Sequence, residues 1–102
     1  MKTVRFEDAA DEELIDEIVR YELRREGLGT EFLSAVREAV RLVAQNPGAW
    51  HASEHGRDVR RFVMDRFPYT LGFQIFDDRI EIVAVAHAHR RPGYWQRRSR
   101  PR

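Results

Sequence analysis

Apolar residues recur along this chain in two periods, and the change of period divides it. From Ala9 to about Glu26, residues Leu14, Ile15, Ile18, Val19 and Leu23 fall three and four apart, which predicts one stripe of an amphipathic helix. Asp11, Glu12, Glu13, Asp16 and Glu17 lie outside the stripe, near the helix start. Arg20, Arg24 and Arg25 gather at its end, the arrangement a helix dipole favours. Asp8 reads as the N-cap. Gly27-Leu28-Gly29 breaks the pattern, and Thr30 is the expected cap of a second helix. Its stripe is Phe32, Leu33, Val36, Val40, Val43 and Ala44, and Asn46-Pro47-Gly48 closes it. Two stripes joined by so short a turn predict an antiparallel helical hairpin.

Elsewhere the period is two. Lys2-Thr3-Val4-Arg5-Phe6 alternates and reads as a short strand. Trp50 to Gly56 has no period and reads as a loop, with His51, Glu54 and His55 in it. A strand is expected from Val59 to Met64. In the next strand Tyr69, Leu71, Phe73 and Ile75 alternate, and Asp77-Asp78 is the tight turn of a hairpin. Arg79 to His87 is the last strand. Strict alternation puts Ile80, Ile82, Ala84 and Ala86 on one face and Val83 and Val85 on the other, so it should be central or covered. The expected architecture is α+β: a strand, a two-helix antiparallel hairpin, then a three-stranded antiparallel meander. The first strand must join the sheet to satisfy its backbone. The helices then cover one face of the sheet and leave the other comparatively open. One domain is expected over residues 1–95, followed by a flexible basic tail at 96–102.

Composition changes this picture in few places. The chain has 102 residues and no cysteine, which suits a single modest core and excludes disulfides and thiolate metal sites. No apolar run approaches the roughly 18 residues of a membrane span, and the start is unlike a signal peptide. A cytoplasmic protein without membrane contact is expected. The net charge of +1 hides an asymmetry: residues 1–56 hold 7 basic and 12 acidic side chains, and residues 57–102 hold 11 and 5. Such a split suggests a basic surface built by the second half and facing an anionic partner. Arg57, Arg60 and Arg61 fit it, since neighbours in a strand point to opposite faces and one should reach the open side.

The chain's end carries the candidate chemistry. His87 and His89, two apart, share a face if the strand reaches that far, and Arg90, Arg91 and Tyr94 follow closely. A neutral-pH base beside arginines and a phenol is an adequate acid–base set. The same histidines equally read as strand-end residues that pack against the tail. They lack a third metal ligand, so no metal is expected, and no motif calls for a cofactor. Tyr94 and Trp95 either fold back over an apolar sheet surface or meet a target.

The order of elements, the segment Arg66-Phe67-Pro68-Tyr69, and the ending from Ala84-Val85-Ala86-His87 through Arg90-Arg91-Pro92-Gly93-Tyr94-Trp95 together resemble the RelE/ParE toxin superfamily. The ending looks most like the ParE-type branch. The resemblance implies the RelE/ParE toxin fold and a growth-inhibiting toxin of a type II toxin–antitoxin system. It also implies a cognate antitoxin whose helix and strand lie against the toxin, with a toxin–antitoxin heterotetramer as one assembly. For the ParE-like branch it implies DNA gyrase as target, met by Arg60, Arg61, Arg90, Arg91, Tyr94 and Trp95, without chemistry of the toxin's own. For the RelE-like branch it implies a ribosome-dependent mRNA endonuclease, with His87, His89, Arg90, Tyr94 and Arg61 as candidate catalytic residues. Against that version, Lys2 is the only lysine, and Thr70 stands where RelE-type members place a basic residue. A third reading is a module that binds antitoxin after its toxicity has been lost.

Overall fold

Valine and phenylalanine alternate with exposed polar residues in β1 (Thr3–Phe6), so this strand can bury one side only. In the computed structural model, which describes residues 2–49, 59–88 and 94–98, β1 is an edge strand. It is followed by α1 (Asp8–Arg24), α2 (Leu28–Gln45) and a 3₁₀ turn at Pro47–Ala49. The meander is β2 (Val59–Val63), β3 (Tyr69–Ile75) and β4 (Arg79–His87), and a second 3₁₀ turn spans Tyr94–Arg98. The sheet order is β1-β4-β3-β2. β1 runs parallel to β4 and the meander pairs are antiparallel, giving the expected α+β fold.

The helices lie on one face of the sheet. Phe32, Val36, Ala39 and Val43 from α2 pack with Leu71, Phe73, Ile80 and Ile82 from the sheet in one buried cluster. Tyr21, Phe32, Phe67 and Tyr69 form an aromatic knot inside it, with Phe32 4.9 Å from Tyr69 and Tyr21 5.1 Å from Phe67, centroid to centroid. Aromatic edges prefer such tilted contacts.

That knot explains a departure from the sequence pattern in α1. The buried side is Ala10, Leu14 and Tyr21, with Ile18 partly buried. Ile15 and Val19 are each 53% exposed and Leu23 is 84% exposed. The tyrosine turns inward to join the rings, which rotates the helix and puts half of the aliphatic stripe outside. Both helices also begin earlier than expected. α1 starts at Asp8 after Glu7, with no side-chain cap. α2 starts at Leu28, ahead of Thr30, because the Glu22 carboxylate accepts the backbone N–H groups of Gly27 (2.9 Å) and Gly29 (3.0 Å). A side chain from the preceding helix thus does the capping. Gly27 sits at φ 87, a left-handed conformation that glycine adopts without strain.

The register of β3 on β4 shifts between Gly72 and Phe73: Gly72 pairs with Ala84, Phe73 with Ile82, and Val83 is left over. Such a bulge puts two successive residues on one side. Val83, Ala84 and Ala86 therefore share the face away from the helices, while Ile80, Ile82 and Val85 face them. The strict alternation expected for this strand is corrected by that one extra residue.

The second face is covered as well, contrary to the expected open surface. Trp95, 5% exposed, lies with Val59, Val83, Ala84 and Ala86 in a smaller buried cluster. The turn that carries it, Tyr94–Arg98, includes the start of the expected loose tail.

Candidate functional site

Beyond Phe6 the parallel partner of β4 is gone, since Phe6 pairs with Ile82. β1 turns directly into α1, whose first turns cross this end of β4. A cleft of about 370 Å³ opens there. Glu13, Asp16, Glu17 and Arg20 of α1 form one wall, and Tyr69, His87 and Tyr94 the other. A second cleft of about 330 Å³ continues it past Arg24 and Pro68, sharing Glu17, Arg20, Tyr69 and His87.

Glu13 is the hub. One carboxylate oxygen accepts the Val85 backbone N–H at 3.0 Å, and the other accepts the Tyr94 hydroxyl at 2.6 Å. The Arg98 guanidinium donates to both oxygens, at 3.0 and 3.2 Å, and also to the Val83 carbonyl at 2.9 Å. Arg98 also lies 5.3 Å from the Tyr94 ring centre. Charge-assisted bonds of this kind are about twice as strong as neutral ones. Deeper in the cleft the Tyr69 hydroxyl donates to Glu17. Burial first, and that carboxylate second, push the Tyr69 phenol far above its ordinary range, so it stays a neutral donor. The His87 ring meets the Tyr69 ring edge-on at 5.0 Å and 84°.

The candidate residues separate between two surfaces. His87 and Tyr94 are brought together on the cleft. His89, Arg90 and Arg91, like Arg57, Trp50, His51, Glu54 and His55, lie outside the described residues. Arg60 pairs with Phe73 and Arg61 with Gly72, so Arg60 is half-buried on the helix side and Arg61 is exposed on the second face. Arg61 and His87 therefore stand on opposite sides of the sheet. Trp95 is seated with its ring against Gly72: a Cβ added there would fall 2.7 Å from the indole. Among the described residues no group of three His, Asp or Glu side chains could hold a metal ion, and no helix is long and apolar enough to cross a membrane.

Sequence reading missed Glu13, which looked like one more solvated acid on a charged helix. It had no signal in local pattern, because its partners are 72 to 85 residues away. The charge asymmetry of the chain also takes on another meaning. Glu13 of the acidic half holds Arg98, and Glu31 holds Arg66 as well as Arg25. Part of the excess on each side is spent in ion pairs that join the two halves.

A family model described as the ParE toxin of type II toxin–antitoxin system, parDE, matches residues 4–92. Among solved structures, the chain is similar to one described as the chromosomal ParDE TA system from P. aeruginosa, with a TM-score of 0.67 and 22% identity. The likeness covers 87% of this chain and 98% of that one, and at this identity it is a likeness of fold. A comparison with curated protein sequences found no match.

Proposed function

The chain belongs to the ParE toxin family of type II toxin–antitoxin systems, and we propose that it inhibits growth by binding DNA gyrase, without chemistry of its own, until a cognate antitoxin neutralises it. The observation that carries the non-enzymatic part is the Glu13 hub. A ribonuclease of this architecture needs a free phenol or imidazole as acid or base and free cations around the phosphate. Here the Tyr94 hydroxyl and the Arg98 guanidinium are both bound to one carboxylate, and carboxylates line the cleft beside His87. At that wall Glu13 is paired with Arg98 and Glu17 with Arg20, and Asp16 adds a further acid, so among the described residues no surplus of positive charge is left there for an RNA phosphate.

The target surface we propose is the second face of the sheet together with the Tyr94–Arg98 turn, a strap that lies over it through Trp95. Arg5 and Arg61 are exposed at its two edges, and Tyr94 stands at the border. Arg90 and Arg91 are proposed contacts from the sequence resemblance alone. Trp95 supports it from beneath rather than meeting the target with its whole ring. For the antitoxin, the outer side of α1 is suited to a helix: Ile15, Val19 and Leu23 form an exposed apolar row, four residues apart.

The test is a supercoiling assay with purified gyrase across a range of toxin concentrations, with and without ATP. Inhibition or trapped cleaved DNA is the expected result. No effect at a large molar excess of folded protein would sink the gyrase reading and turn attention to mRNA cleavage on the ribosome.

A further inference from the structure

We propose that Glu13 is a positioning residue: with Arg98 it stands in for the missing strand beside β4, and it thereby seats the C-terminal strap that the proposed function uses. The argument starts from backbone accounting. β1 accompanies β4 only from Arg79 to Ile82, and the last ladder-like bond on that side is the Glu7 N–H to the Ile82 carbonyl at 2.9 Å. Val83 and Val85, 1% and 3% exposed, are the next residues. Buried backbone groups left without partners are costly. A neighbouring strand would offer the pair of groups these residues need, a carbonyl to accept one N–H and an N–H to donate to one C=O. The Glu13 carboxylate takes the Val85 N–H, the Arg98 guanidinium donates to the Val83 carbonyl, and the two side chains close on each other. The carboxylate and guanidinium reproduce the acceptor and donor of one peptide unit.

The consequence reaches Trp95. It lies three residues before Arg98, and Tyr94, its neighbour, donates to the same carboxylate. The strap is thus pinned on both sides of Trp95 through one acid on α1, and the indole is held against Gly72. Arg98 needs Glu13 to orient it, since the guanidinium is 29% exposed and would otherwise sample solvent. Glu13 in turn is fixed by the Val85 amide.

The proposal rests on the strap serving the target surface, but its test does not require gyrase. With Trp50 changed to Phe, Trp95 is the only indole left in the chain, as the sequence contains two tryptophans. Glu13→Ala, Glu13→Gln, Arg98→Ala and, as a surface control on the same helix, Glu12→Ala are compared in that background. The readouts are Trp95 emission, acrylamide quenching and residue-resolved amide exchange, with circular dichroism to establish that each variant is folded. Glu13→Ala is expected to red-shift Trp95, raise its quenching, and speed Val85 amide exchange roughly tenfold or more, the effect of losing a bond to a charged acceptor. Glu13→Gln keeps an oxygen for Val85 but loses the charge that holds Arg98. It should loosen Trp95 while leaving Val85 protected, as should Arg98→Ala. If Trp95 and Val85 in Glu13→Ala behave as in Glu12→Ala, the proposal is overturned. It is likewise overturned if the folded Gln and Arg98→Ala variants leave Trp95 unmoved. A wild-type protein without effect on gyrase would remove the proposed function and leave these optical and exchange results standing. A released strap with undiminished gyrase inhibition would show that the strap is not the part that meets the target.

Discussion

Gly72→Ala puts one methyl group where the Trp95 ring already lies. The added carbon would sit 2.7 Å from Cε3 and Cζ3 of the indole and 3.0 Å from Cδ2. Carbon atoms rest about 3.5–4.0 Å apart, so something must move by about 1 Å. Gly72 does not have positive φ, and the cost is therefore one of space and not of backbone strain. Two relaxations compete. Expelling the indole gives up most of its buried surface, roughly 150–250 Å². At ~25 cal/mol per Å² that is about 4–6 kcal/mol. Keeping the ring and spreading strand and strap costs about 1–3 kcal/mol, the usual cost of overpacking. The cheaper route wins, so Trp95 should remain buried and the protein should lose about 2 kcal/mol. For a domain of this size that lowers the melting temperature by roughly 8–16 °C. A double-mutant cycle with Trp95→Ala isolates the cause. That change alone should cost about 3–5 kcal/mol. In its background Gly72→Ala should be neutral or slightly stabilising, because alanine loses less entropy than glycine inside a strand. The coupling is read from thermal or denaturant unfolding. Additivity within about 0.5 kcal/mol would refute the contact between ring and backbone.

Three further outcomes are expected. Tyr94→Phe removes one bond to Glu13 and costs about 1–2 kcal/mol of stability, and growth inhibition should weaken only in part, because Arg98 still holds Glu13; abolished toxicity in a folded protein would favour a phenol-dependent nuclease instead. Val19→Ser with Leu23→Ser changes only exposed positions, so the unfolding free energy should stay within about 0.5 kcal/mol of wild type. Neutralisation by co-expressed antitoxin should weaken, and undiminished rescue of growth would place the antitoxin on another face. The Arg66 guanidinium bonded to Glu31, and Arg25 beside it, hold that carboxyl below the usual glutamate range. A depressed folded value contributes stability above the unfolded pKa, about 4.3, and the contribution is lost as pH falls through the folded value. The stability difference between wild type and Glu31→Gln should therefore be present at neutral pH and close in acid; an unchanged gap at about pH 3 would contradict it.

Most of the scaffold was legible in the chain. Period and breakers gave the order of elements, and the hairpin turn at Asp77-Asp78 is where the alternation places it, with the Phe76 N–H bonded to the Arg79 carbonyl at 2.8 Å. β3 turns Tyr69, Leu71 and Phe73, every second residue from its start, into the core under the helices. These features depend on neighbours within a few positions, and local pattern therefore carries them. Three others did not follow from it. The rotation of α1 depends on Tyr21 meeting Phe67 and Tyr69, more than forty positions away in the chain. The bulge at Val83 depends on how β3 lies against β4, and it exchanges the faces of Ala84 and Val85. The role of Glu13 depends on β1 ending at Phe6, so that a strand edge and a distant arginine converge on an acid that local pattern marks only as hydrophilic.

The sequence by itself determined the class of fold and the family, because hydrophobic period, glycine and proline act over short distances. Tertiary structure alone decided which faces are covered and which acids are spent. Those outcomes depend on which buried backbone and ring groups lack partners once the elements are packed, and that is settled only when residues far apart in the chain come within about 3 Å of one another.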